Sequence, residues 1–319
     1  MTMLYPLKFR PVYKEIIWGG KNISKYFDRK TPYEKTAESW ELCCRPDGMS
    51  VVDNGPLAGS SLSGLIEQYG EKLLGTECVK KYGSRFPLLI KYIDANDRLS
   101  VQVHPDDAYA RKTGEENGKN ELWYIVDAKP GAKLIYGLKK DITKDEFISA
   151  VKNGTVADTL RVVPVKPHDS LFIPAGTVHA ILDGILIAEI QQNSNTTYRI
   201  YDWGRLGKDG KPRELHIDKA LDVINFGDAA AEPQQDSGET QREILRSEFF
   251  NIDEVKLSGK LERNAEGKTL MVIMNLSGDI VISYDGGETP LKKGDTALIP
   301  ASLGKYTLNG QSRLLMSWI

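Results

Sequence analysis

Short apolar runs broken by turn residues at fairly even intervals dominate the chain. They cover residues 50–53, 99–103, 122–127, 133–136, 170–173, 185–191 and 269–276, and Gly, Pro, Asn and Asp punctuate them. Asp53-Asn54-Gly55-Pro56, Lys129-Pro130-Gly131, Asp183-Gly184 and Asp285-Gly286-Gly287 are such breaks. Runs of four to eight residues between turn signals predict an antiparallel sandwich or barrel. Helical spacing is rare. Residues 61–74 place Leu62, Leu65, Ile66, Tyr69 and Leu73 on one face after a Ser cap. Residues 143–152 open with Thr143, carry Glu146 three positions on, and stop at Asn153-Gly154, as a capping box and a glycine stop require. Residues 218–225 form a third candidate.

The periodic pattern lapses at residues 227–241, a polar stretch with Pro and Gly that predicts a linker or surface loop. Beyond it the β-rhythm returns. The run from Asp169 to His179 aligns without gaps to the run from Asp295 to Lys305, sharing the Asp, the Ile-Pro-Ala and the apolar positions. This suggests two copies of one barrel hairpin, with Lys305 where the first copy has His179.

With 319 residues the chain can bury ample core in one large or two modest domains. Lys plus Arg number 42 and Asp plus Glu 44, so no net field favours nucleic acid or anionic lipid. The longest apolar runs, 184–190 and 270–274, are too short to span a bilayer. The N-terminal residues lack a basic region followed by an apolar one, so no secretory signal is expected. Three cysteines, with Cys43 and Cys44 adjacent, cannot build a regular disulfide framework, which fits a reducing, cytoplasmic setting.

Two short segments carry most of the chemistry. In Gln102-Val103-His104-Pro105, alternation puts Gln102 and His104 on one strand face. In Pro174-Ala175-Gly176-Thr177-Val178-His179, a turn delivers His179 to the next strand. Glu121 stands between them at the head of another strand. Two imidazoles, a carboxylate and an amide oxygen form a credible donor set for a divalent metal. Each residue alone has a blander reading. A lone His after a turn is more often hydrogen-bonded or exposed, and His168 and His216 are read that way. Glu121 alone would be a solvated charge, and Gln102 a structural amide. The joint pattern reverses those readings. Lys91 lies inside the apolar run 86–94, where an ammonium needs a compensating partner unless it snorkels to solvent.

These motifs resemble the cupin superfamily, with the first metal motif in its Gln-x-His form. More narrowly, they resemble the type I mannose-6-phosphate isomerases (phosphomannose isomerases) in their short bacterial form. The likeness runs through Pro11–Gly20, Glu38-Ser39-Trp40-Glu41, Phe86–Lys91, Ser100–Asp106, Glu121–Tyr124, Ile173–Ala180 and Gln191–Arg199. It implies a mainly β fold of two cupin (RmlC-like jelly-roll) barrels with a few short helices, the second barrel degenerate and metal-free. Residues 1–240 would form the catalytic cupin domain with helical insertions, and 241–319 the C-terminal cupin-like domain.

The resemblance further implies an enzyme that interconverts mannose 6-phosphate and fructose 6-phosphate with one Zn2+ per chain, held by Gln102, His104, Glu121 and His179. Arg199 and Lys119 would be catalytic, and Lys91, Asn195 and Glu189 would bind substrate. Two positions depart from the family pattern. Gly118 stands where some relatives have a His, and Asn195 where many have an Asp; an Asn cannot take a proton during ring opening.

Aldose–ketose isomerisation through a cis-enediol needs a polarised carbonyl, which a metal and the fixed charge of Arg199 would supply. For the base, a hydroxide held by the metal, Lys119, Lys91 and Glu189 all stand as candidates. The competing functions are a cupin Fe2+ dioxygenase, since the same donors accept iron, and a non-catalytic sugar-phosphate sensor. Retention of all four ligands and Arg199 favours catalysis. The expected partners are small sugar phosphates, with no nucleic acid and no membrane, and the expected assembly is a monomer or weak homo-oligomer.

Overall fold

The structure is a computed structural model that describes residues 3–207, 210–227 and 231–319. Asp228, Ala229 and Ala230 of the expected linker lie outside the described residues. Strands dominate and the helices are short, so the chain is mainly β. Two compact units interleave along it. One comprises residues 13–39 and 91–235, the other residues 1–12, 40–90 and 236–319. The crossing between Gln235 and Asp236 falls within the polar stretch 227–241.

The first unit holds a five-stranded antiparallel sheet in the order Tyr198–Tyr201, Val101–Val103, His179–Ile181, Lys133–Leu138, Leu160–Pro164. A six-stranded sheet runs Ser170–Ile173, Glu121–Ala128, Ile185–Gln192, Leu88–Ala95, Glu38–Leu42, Val12–Lys14.

Alternation decides what each face of the five-stranded sheet does. Val101, Val103, Ile135, Ala180, Tyr198 and Ile200 point to one side, into an apolar cluster with Phe147 and Ala220 from the helices Lys144–Lys152 and Ile217–Val223. Leu134, Tyr136 and Ile181 point to the other, packing with Trp123, Ile125 and Ile187 of the six-stranded sheet. Gln102, His179 and Arg199 belong to this second side.

The second unit contains a nine-stranded sheet around an apolar cluster that includes Leu257, Ile273, Ile282, Leu291, Ile299, Leu308 and Met316. The two halves of the sequence echo fold as the same turn. Asp169 Oδ2 accepts Lys166 N at 3.0 Å, and Asp295 Oδ2 accepts Lys292 N at 3.0 Å. The preceding residues, His168 (φ 77) and Gly294 (φ 90), are both left-handed. Lys305, opposite His179 in the echo, is exposed.

The helix expected over residues 61–74 forms as two pieces, Leu62–Tyr69 and Glu71–Leu74, because Gly70 (φ 47) breaks it. Ser61 Oγ caps the first piece, accepting Gly64 N at 3.1 Å. Asn22–Phe27, Thr76–Tyr82 and Asp107–Thr113 are helices too short and polar to show an apolar stripe in the sequence. No helix among the described residues is long and apolar enough to cross a membrane, and all three cysteines are free.

Thr143 and Glu146 close the capping box reciprocally: Glu146 N donates to Thr143 Oγ1 at 3.2 Å and Thr143 N to Glu146 Oε2 at 2.8 Å. Thr143→Ala is therefore expected to lower stability by about 1 kcal/mol. Urea unfolding measures that loss, and metal content of the variant should match the parent because the helix packs on the far face of the sheet.

Candidate functional site

Three adjacent strands place their central side chains in a row. His179 is opposite Gln102, and Gln102 is opposite Arg199 on its other side. His104 follows two residues after Gln102, so alternation returns it to the same face. From the other sheet, Glu121 begins its strand between Ile173 and Gln191 as cross-strand neighbours, and Glu189 lies opposite Trp123. All of these residues belong to one compact unit.

The three strongest donors converge. His104 Nε2 lies 3.1 Å from His179 Nε2 and 3.3 Å from Glu121 Oε1, and His179 Nε2 lies 3.7 Å from Glu121 Oε2. His104 is 1 % exposed, and Glu121 and His179 are fully buried. Among the described residues these are the only three His, Cys, Asp or Glu side chains so grouped. Each imidazole uses its other nitrogen on the backbone: His104 Nδ1 donates to Thr196 O at 2.9 Å and His179 Nδ1 to Thr177 O at 2.8 Å. That fixes the tautomer and aims both Nε2 lone pairs into the cluster.

Burial, followed by the Lys119 ammonium, pushes His104 down to about 3. Burial lowers His179 as well. Both rings are therefore neutral. Burial opposes the charge of Glu121, yet the Lys119 ammonium holds its carboxyl well below the usual range.

This donor set fits a metal ion. Neither oxygen of Glu121 accepts a hydrogen bond of acceptable angle, although both are buried. Donors around a tetrahedral ion at about 2.1 Å sit about 3.4 Å apart, and the contacts at 3.1, 3.3 and 3.7 Å bracket that spacing. Gln102 presents its amide nitrogen to His179 Nε2 at 3.3 Å. Service as an oxygen donor would require its amide to turn over, a half-rotation that leaves the amide's outline nearly unchanged.

Lys119 Nζ lies 2.5 Å from Glu121 Oε1 and 3.1 Å from His104 Nε2. Lys91 has found the partner its apolar strand demanded: Nζ is 2.7 Å from Glu189 Oε2 and 3.7 Å from Glu38 Oε2. Burial alone would lower Lys91, but Glu189, Glu38 and Glu121 together lift it above its ordinary value. Glu189 is displaced upward, first by burial and then by the charge of Glu121, and its Oε1 accepts Trp123 Nε1 at 2.9 Å.

A cavity of about 330 Å³ opens beside the cluster, lined by Lys91, Gln102, Lys119, Glu189, Asn195 and Arg199 among others. Every residue expected to bind substrate or act catalytically thus borders it, as does the expected ligand Gln102, while the other three expected ligands, His104, Glu121 and His179, do not line it. Sequence reading assigned no role to Trp18, Glu38, Thr197 or Arg213, which also line it. Trp18 and Glu38 lie in segments that carried the family resemblance. Arg213 sits in the polar run Gly210-Lys211-Pro212-Arg213, which reads as a solvated loop. His168 and His216 stand apart, on Tyr124 Oη at 3.2 Å and Arg199 N at 3.2 Å respectively.

A donor cluster that could hold a metal, set between antiparallel sheets beside a polar cavity, points to a β-protein of the cupin kind. Residues 6–123 match the model for the phosphomannose isomerase type I catalytic domain, and residues 240–319 that for the mannose-6-phosphate isomerase cupin domain. A mannose-6-phosphate isomerase of Bacillus subtilis is 38 % identical over 317 residues, covering 98 % of both chains. One from Streptococcus mutans is 37 % identical over 318 residues, covering 99 % of this chain and 98 % of that one. The crystal structure of a Bacillus subtilis mannose 6-phosphate isomerase superposes with a TM-score of 0.89 at 35 % identity, covering 99 % of this chain and 100 % of the other. The chain belongs to the type I phosphomannose isomerase family.

His104→Ala and His179→Ala each remove one inward lone pair, and both variants are expected to lose most of the bound metal. Elemental analysis after purification without chelator checks this, and full occupancy in either variant would exclude that residue as a ligand.

Proposed function

We propose that this chain is an enzyme that interconverts mannose 6-phosphate and fructose 6-phosphate by proton transfer through a cis-enediol. Its family membership and full-length relatives support the reaction, and the observation that carries the mechanism is the row His179–Gln102–Arg199, which meets Glu121 at its His179 end and borders the cavity through Gln102 and Arg199. One Zn2+ per chain, held by His104, His179, Glu121 and a turned Gln102, is the proposed cofactor. When bound, such an ion polarises a substrate oxygen as a Lewis acid.

The chain's own residues do the rest. Arg199 carries a charge that needs no proton exchange, and its Nη1 is tethered to Glu214 O at 2.8 Å. It would stabilise oxyanion character on the enediol. Lys119, buried and lining the cavity, would serve the hydroxyls whose protons move. The Lys91–Glu189 pair, held by Trp123 and Glu38, would orient sugar hydroxyls by offering both donors and an acceptor from one rigid unit. Asn195 contributes an amide at the rim.

In the second compact unit, Lys305 replaces the ligand His of the sequence echo and the interior is filled by aliphatic side chains. These features support reading it as a second, degenerate cupin barrel without a metal.

A coupled assay should detect fructose 6-phosphate from mannose 6-phosphate with the metal-loaded protein, and chelation should abolish it. Arg199→Ala is expected to lower kcat by about 100- to 1000-fold while leaving metal content and folding intact. A near-normal rate would refute its role.

A further inference from the structure

The arginine end of the cavity carries more positive charge than its buried partners neutralise. Asp202, 6 % exposed, sits where the strand Tyr198–Tyr201 gives way to a turn closed by Arg205 N on Asp202 O at 3.1 Å. Trp203 (φ 60) pins that turn through Nε1 to Leu99 O at 2.7 Å. Arg213 grips Asp202 with a side-on fork, Nε to Oδ2 at 2.7 Å and Nη2 to Oδ1 at 2.5 Å. Arg205 Nη2 takes the same Oδ1 at 2.7 Å. Two guanidinium groups, those of Arg205 and Arg213, therefore share one buried carboxylate, and Arg199 adds a third cation that has no carboxylate of its own within the hydrogen-bonded set.

Two further carboxylates are near but exposed. Asp97 lies 3.5 Å from Arg205 Nη1, and Glu214 turns to His216 Nε2 at 3.8 Å. Arg199 Nε is buried and makes no hydrogen bond among the described residues. Burial first, and then the charge of Arg213, destabilise the Arg199 guanidinium, so the two cations feel one another. The lysines at the opposite end are already matched, Lys91 by Glu189 and Glu38 and Lys119 by Glu121.

We propose that Arg213, oriented by Asp202, is the anchor for the phosphoryl dianion of the substrate and sets the preference for phosphorylated over neutral sugars. The inference rests on the sugar-phosphate reading above and goes beyond it by giving the phosphate to the arginine end rather than to the lysines. Two of the five N–H donors of Arg213 are spent on Asp202, which leaves others for phosphate oxygens. A dianion on the free donors of Arg213 would also offset the repulsion that its charge exerts on Arg199. It would leave the sugar's carbonyl end to the imidazole and carboxylate cluster. Asp202 is a positioning residue, since it acts only through Arg213.

Steady-state kinetics of the metal-loaded protein on mannose 6-phosphate and on unphosphorylated mannose test this. Arg213→Gln should lower kcat/KM for mannose 6-phosphate about 10- to 100-fold, mainly through KM, and leave kcat/KM for mannose within about twofold. It should also weaken inhibition by inorganic phosphate. Arg213→Lys keeps a charge without the fork and should fall between the two. Asp202→Asn should raise KM for mannose 6-phosphate while kcat holds. Equal losses on both sugars, with phosphate inhibition unchanged, would overturn the assignment. Should removal of the buried pair unfold Arg213→Gln, Arg213→Lys alone decides by the same comparison. If the wild-type protein isomerises no hexose phosphate, the functional reading fails separately. Calorimetric binding of inorganic phosphate to the metal-loaded protein then decides the anchor, and unchanged affinity in Arg213→Gln would overturn it.

Discussion

Two imidazole lone pairs and a carboxylate meet at one buried point, an arrangement that a cation stabilises. His104 Nε2 and His179 Nε2 stand 3.1 Å apart with no proton to share, because each ring has committed its hydrogen to a backbone carbonyl. Glu121 adds a full negative charge with no hydrogen bond of acceptable angle. An uncompensated carboxylate in such a place costs several kcal/mol even after relaxation. Lys119 supplies one positive charge from the side, 2.5 Å from Glu121. It also reaches His104 Nε2, and the Gln102 amide nitrogen faces His179 Nε2, which leaves Glu121 Oε2 without a donor. The rest of the cavity is arranged around that demand.

The sheets meet the demand through register. A one-residue slip of the strand Val101–Val103 would exchange Gln102 for valines and put His104 on the helix-covered side. The apolar cluster behind the sheet prevents this, since Val101 and Val103 are fully buried there with Tyr198 and Ile200. Hydrophobic packing on one face thus holds the polar row on the other. On the opposite sheet, Gln191 lies beside Glu121, and its amide nitrogen is locked to Gln192 O at 2.9 Å and Ser194 O at 2.7 Å. It donates nothing to Glu121, which leaves the carboxylate's lone pairs for a cation.

Much of this was legible in the residues, for reasons that differ by element. Ser170–Ile173 could be read to the residue because turn chemistry brackets it on both sides. The Thr143 cap and its helix were equally plain. The cluster was legible because metal donors are rare side chains in an unusual order, and the need of Lys91 for a partner followed from its apolar strand. The identity of that partner, Glu189, did not follow, because pairing depends on which strands become neighbours across 98 residues of chain. The interleaving of the two compact units was hidden for the same reason. Arg213 and Asp202 were missed because a polar loop and a single Asp after a Tyr look like surface; only the fold shows that Asp202 is buried and shared.

The glycine that departs from the family pattern at position 118 is explained by the same close packing. A Cβ there would lie 2.5 Å from both Asp106 C and Asp107 N, where the chain crosses the start of the helix Asp107–Thr113. Backbone at that distance cannot step aside as a flexible side chain would, so no His fits without moving the crossing. The tight approach has a purpose one residue later. Gly118 N donates to Asp107 Oδ1 at 2.8 Å and Lys119 N to Pro105 O at 3.0 Å. Asn117 Nδ2 and Ser194 Oγ stitch the same segment to Asn193 O and Asn117 O. The backbone of Lys119 is therefore tied to the residue that follows His104. Its long side chain, which would otherwise lose much rotamer freedom on ordering, enters the cluster from a fixed origin. Here the missing His and the well-placed Lys are two consequences of one close turn.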